Sequence, residues 1–73
     1  MIKSVSEIKK GDIILYRSGR INHVNKPFKY ELWFDENFSH REYNRNSDIM
    51  EIKRFVKILG LYRLKTIYRR KGK

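Results

Sequence analysis

Across residues 48–69 apolar and charged side chains alternate with a period of two, and the rhythm restarts after Gly60. Met50, Ile52, Val56 and Ile58 share one parity, Glu51, Lys53 and Lys57 the other, and Arg54 and Phe55 interrupt them. Beyond the glycine, Tyr62, Leu64 and Tyr68 stand opposite Arg63, Lys65 and Arg69. This period marks strands with one face toward a core. At the helical angle of roughly 100° per residue, the apolar side chains of residues 55–68 scatter around the wheel without forming a stripe. A helix over 53–69 is therefore the weaker alternative. The interruption at Arg54 and Phe55 is the expected place for a β-bulge.

The earlier segments read in the same way. Residues 13–17 are β-branched and aromatic between turn residues, which predicts a strand. Ser18-Gly19 then supplies a two-residue connection to a second strand over 20–24, ended by Asn25-Lys26-Pro27. Phe28, Tyr30, Leu32 and Phe34 alternate with Lys29, Glu31 and Trp33, which predicts a third strand with Trp33 on its less apolar face. Residues 35–47 read as a charged loop anchored by Phe38 and Tyr43. At the amino-terminal end, Ser4-Val5-Ser6-Glu7 has capping-box spacing, and Lys10-Gly11-Asp12 soon breaks any helix. Val5 and Ile8 are expected to form a short lid on the core.

These signals predict a mainly β fold. It is a small, strongly bent antiparallel sheet or a partly open barrel of four to five strands, with a short N-terminal helical turn. Residues 1–73 are read as one domain, with 70–73 as a frayed tail. A chain of 73 residues hides only about 60% of its unfolded surface, so the core is thin. There is no cysteine to staple it, a composition that suits a reducing cytoplasm. Ten aromatics supply much of the area such a core requires, and pairing with a second copy would add more. The strand around Met50 is one candidate edge for that pairing. No apolar run of membrane-spanning length and no signal-peptide h-region is present, so the expected location is cytoplasmic.

Charge is segregated along the chain. Residues 1–52 carry nine Lys/Arg against eight Asp/Glu, whereas residues 53–73 carry nine cations and no acid. Such a block attracts polyanions over a Debye length of about 8–10 Å. On a strand surface, cations can follow a phosphate backbone while aromatic rings offer faces for base stacking. The expected nucleic-acid-binding residues are Lys53, Lys57, Arg63, Lys65, Arg69 and Arg70, with Trp33, Tyr62 and Tyr68 as stacking rings. Arg63, Lys65 and Arg69 would share one face with Lys53 and Lys57. An ordinary solvated face, with the aromatics in the core, is the bland reading of the same residues.

The run Lys10-Gly11-Asp12-Ile13-Ile14-Leu15-Tyr16-Arg17-Ser18-Gly19 resembles the opening of Src-homology-3-like (SH3-like) small barrels, where a Gly-Asp turn leads into the first long strand. Asp35-Glu36-Asn37-Phe38-Ser39-His40 and Asp48-Ile49-Met50-Glu51-Ile52-Lys53-Arg54 resemble segments of short proteins carried by phages and mobile elements of Gram-positive bacteria. The likeness covers under half of the chain and includes no catalytic motif. It implies a fold and a genomic setting, and the charged loop over 35–47 departs from the usual barrel.

Catalytic and metal signatures are not evident. His23 and His40 are seventeen residues apart, without paired-ligand spacing, and Asp35-Glu36 reads as a turn. No nucleophile elbow or phosphate-cradling loop occurs among the isolated glycines. The expectation is a non-catalytic accessory protein without cofactor or metal, binding DNA or RNA by backbone-dominated contacts. The alternative is an interaction module that docks an acidic protein or pairs through an open strand edge. A membrane-surface role is disfavoured, because the cationic segment lacks a helical apolar face.

Overall fold

Ser4 caps the first element as its spacing implies. The computed structural model describes residues 2–25, 34, 38, 39 and 45–70, and a single 3₁₀ turn occupies Val5–Glu7. The Ser4 hydroxyl accepts from the Ser6 amide, and the Glu7 carboxylate accepts from the amides of Lys3 and Ser4 at 2.7 and 2.8 Å. Those two backbone donors, Lys3 first, hold the Glu7 carboxyl below its ordinary pKa. Val5, the first residue of the turn, and Ile8, just after it, are buried and form the expected lid.

Four strands follow: β1 (Ile13–Tyr16), β2 (Ile21–His23), β3 (Ile49–Ile58) and β4 (Leu61–Arg69), with a second 3₁₀ turn at Arg45–Ser47 before β3. The sheet order is β2-β1-β3-β4 and every neighbouring pair is antiparallel. This is the small, mainly β open sheet expected from the alternation, and residues 53–69 are two strands joined by a turn, not a helix. β3 lies between β1 and β4, so the region around Met50 is interior to the sheet and not the edge it was expected to offer. The strand expected over 28–34, Trp33 included, lies outside the described residues apart from Phe34, which is buried.

The β1–β2 connection is longer by one residue than Ser18-Gly19 suggests. The Tyr16 amide donates to the Arg20 carbonyl, and the Gly19 amide donates back to the Tyr16 carbonyl, both at 2.9 Å. Arg17 is thereby drawn into a three-residue loop, with Gly19 at φ 90° as the left-handed closing residue.

Two irregularities bend the sheet around its core, and neither falls at Arg54 and Phe55. Along β3, Leu15 faces Glu51 but Tyr16 faces Ile49, which leaves Met50 as the extra residue. Along β4, Ile52 faces Tyr68 but Lys53 faces Thr66, which leaves Ile67 as the extra residue. An extra residue changes which side of the pleat the following side chains occupy. Ile49 and Ile52, three apart, can therefore both be 0% exposed against Ile14. Ile67 also joins the buried cluster, and Tyr68 packs against it. Met50, which simple parity assigned to the core, is only half-buried.

Phe38 secures the far side of this cluster. It is buried at φ 61°, a conformation unfavourable for a bulky residue, and its ring centroid lies 3.9 Å from that of Tyr68. Its carbonyl accepts from the Ile49 amide at 3.0 Å and from the Arg70 guanidinium at 2.9 Å.

Candidate functional site

β3 and β4 outrun the rest of the sheet. β1 pairs with β3 only as far as Lys53, so from Arg54 onward the two strands form a ribbon with no third described strand beside it. Ile58 faces Leu61 across a two-residue turn whose central residues, Leu59 and Gly60, have φ of 52° and 83°. Positive φ at both positions is what a type I′ hairpin requires, and it matches the twist of the strands. Leu59 is 98% exposed at the tip. Phe55, Ile58, Leu61, Tyr62 and Leu64 are also exposed, so this arm is apolar as well as cationic on its solvent-facing surface.

Residues paired across an antiparallel ladder project to the same side. Arg54 pairs with Lys65, Val56 with Arg63, and Ile58 with Leu61, on the side that continues the core face. Phe55 pairs with Leu64, Lys57 with Tyr62, and Glu51 with Arg69, on the outer side with Lys53. The nine expected site residues are therefore not one face. Lys53, Lys57, Arg69 and Tyr62 come together on the outer side, while Arg63 and Lys65 lie on the inner side of the same arm. Two features cause the split: the two-residue turn pairs Lys57 with Tyr62 and so sets Arg63 and Lys65 on the other side, and the extra residue at Ile67 moves Arg69 out of the parity it would otherwise share with them.

Several of the block's charges are already engaged. Arg54 donates through Nε and a terminal nitrogen to both oxygens of Asp12, at 2.7 and 2.8 Å, and also to the Glu7 carbonyl. Asp12 is 1% exposed, and its carboxylate additionally accepts from the Lys9 amide. This bidentate partner raises the Arg54 pKa further above its ordinary value. Lys53 and Arg69 share Glu51, at 3.6 and 2.9 Å. Arg70 is not a frayed binding residue. Its amide donates to the Met50 carbonyl and its guanidinium to the carbonyls of Ile49 and Phe38. Tyr68 is half-buried on Phe38, which leaves it unsuited to base stacking.

Three expected cations remain in solvent with no ion pair among the described residues: Lys57, Arg63 and Lys65. The Lys57 ammonium sits 5.8 Å from the centre of the Tyr62 ring, a weak cation–π contact at an exposed site. No acidic residue occurs between Arg54 and Lys65 in the sequence. Phe55 interrupts the apolar pattern, yet positions 51, 53, 55 and 57 share one side of the strand without a break. That spacing alone would have placed its ring between Lys53 and Lys57. The opposite parity would likewise have carried Arg54 to the core face, where Asp12 lies.

Among the described residues no group of three or more His, Asp or Glu side chains could hold a metal ion, and no helix is long and apolar enough to cross a membrane. His23 is exposed on β2, and His40 lies outside the described residues. No protein-family model, curated protein or solved structure matches the chain.

Proposed function

We propose that this chain is a non-catalytic nucleic-acid-binding protein whose contact surface is the β3–β4 arm. The observation that carries the reading is the set Lys57, Arg63 and Lys65, exposed and without an acidic partner among the described residues, on a ribbon that extends beyond the core. Cations along a thin ribbon can meet phosphates from both of its sides, so their division between two faces does not prevent a shared ligand. Backbone contacts of this kind hold a polyanion without reading its sequence.

The test is binding of labelled single-stranded and duplex oligonucleotides to the triple variant Lys57→Gln, Arg63→Gln, Lys65→Gln. All three side chains are exposed, so the fold survives, as circular dichroism will show, while affinity falls steeply. Unchanged affinity would assign any binding to another surface and sink the proposal.

A second reading is docking of an acidic protein by strand addition, favoured by β4 standing at the sheet edge. Among the described residues, the Ile2 amide covers the Ile67 carbonyl, which leaves residues 61–66 as the part of β4 with no second neighbour. A second copy is a poor occupant there, because Arg63 and Lys65 of each chain would be brought together. Like charges at an edge are a common defence against sheet-to-sheet pairing.

A further inference from the structure

The outer side of the arm bears two exposed aromatic rings in one neighbourhood. Phe55 is 54% exposed and Tyr62 is 71% exposed. Phe55 pairs with Leu64, so Tyr62 is its diagonal neighbour across the two strands. Such neighbours lie about 7–8 Å apart, within reach of large side chains. Lys57 stands directly opposite Tyr62, and Lys53 precedes Phe55 by two residues on the same side. Packing among the described residues does not account for a phenylalanine more than half in water, since the core lies on the other side of the sheet.

We infer that Phe55 and Tyr62 form a stacking platform for the bases of a single-stranded nucleic acid, with Lys57 holding the adjoining phosphates. This inference rests on the arm being the nucleic-acid surface, and it narrows the ligand to one class. The reason is the availability of π-faces. A duplex keeps its base faces stacked on one another, so a ring reaches a face only by unstacking a step at a cost of a few kcal/mol. Unpaired bases present their faces, and stacking on an aromatic side chain is tolerant of base identity. Single-stranded DNA and RNA share this chemistry. A preference between them would come from groups that meet the 2′-hydroxyl.

The experiment compares the full chain's affinity for oligothymidylate, oligouridylate, a thymidine–adenosine duplex and an abasic strand of equal length, at one salt concentration. Both base-bearing single strands should bind more tightly than the abasic strand and the duplex. Phe55→Leu and Tyr62→Leu keep the strand apolar but remove a π-face. Each should weaken binding of the base-bearing strands by roughly 5- to 150-fold and leave the abasic strand unaffected. Equal affinity for abasic and base-bearing strands would overturn the platform, as would a preference for the duplex. In either case the arm reading survives if the triple glutamine variant still loses binding. If that variant binds every probe as the parent does, the arm reading itself fails and the platform with it.

Discussion

Arg54 belongs to the cation block only by sequence position, because its side chain forms an ion pair with the buried Asp12. Removing one partner of a buried ion pair leaves an uncompensated charge, which costs about 3–5 kcal/mol. Arg54 keeps a quarter of its side chain in solvent, which favours the lower end. Asp12→Ala is expected to lose roughly 3 kcal/mol in urea unfolding, and Arg54→Gln a comparable amount, whereas Lys57→Gln should be near neutral. If Arg54→Gln weakened oligonucleotide binding with stability intact, the structural role given to Arg54 would be wrong. Glu7 adds a pH dependence whose sign follows from its lowered pKa. The stabilisation is fully present above the ordinary carboxylate value of 4.5 and is lost as pH falls through the lower folded value. Urea midpoints of the parent and Glu7→Gln should therefore differ at neutral pH and converge in acid.

At the scale of the element, the β3–β4 hairpin is least favourable at its turn. A leucine in the left-handed region carries a cost of about 1–2 kcal/mol, and type I′ turns favour Asn or Asp at that position. Leu59 nevertheless stands there at φ 52° with its side chain in water. Leu59→Asn should stabilise the arm by about 1 kcal/mol and slow amide hydrogen exchange over residues 54–65 by roughly fivefold. Exchange within the Ile14–Ile52 core should not change, because no described core residue contacts the tip through the ladder. Faster exchange in the arm of that variant would mean that Leu59 makes a stabilising contact.

At the scale of the whole molecule, the number of cations free to meet phosphate sets the salt dependence. Each phosphate neutralised on a single strand contributes about −0.7 to the slope of log K against log salt. Lys57, Arg63 and Lys65 together give a slope near −2, whereas all nine cations of residues 53–73 acting as one patch would give about −6. A salt titration of oligothymidylate binding distinguishes the two. A slope near the larger figure would mean that the ion pairs to Asp12 and Glu51 open on binding.

Much of this architecture was legible in one dimension. The alternation over residues 48–69, the restart at Gly60 and the Ser4-to-Glu7 spacing each depend on near neighbours, and local geometry decides them. The grouping of the cations was not legible in that way. It turns on the two-residue reversal at Leu59-Gly60, which pairs odd positions of β3 with even positions of β4, and on the extra residue Ile67, whose place in the ladder is set by how β4 meets β3. Which acid neutralises which cation also depends on contacts across the fold, since Asp12 and Arg54 are far apart in sequence and adjacent only when β1 lies beside β3. Sequence by itself determined that these residues form strands and that positive charge accumulates late in the chain, because periodicity and composition are properties of the covalent order. Tertiary structure alone decided which of those charges reach solvent and which side of the ribbon each occupies, because register and burial arise only once separate strands are brought together.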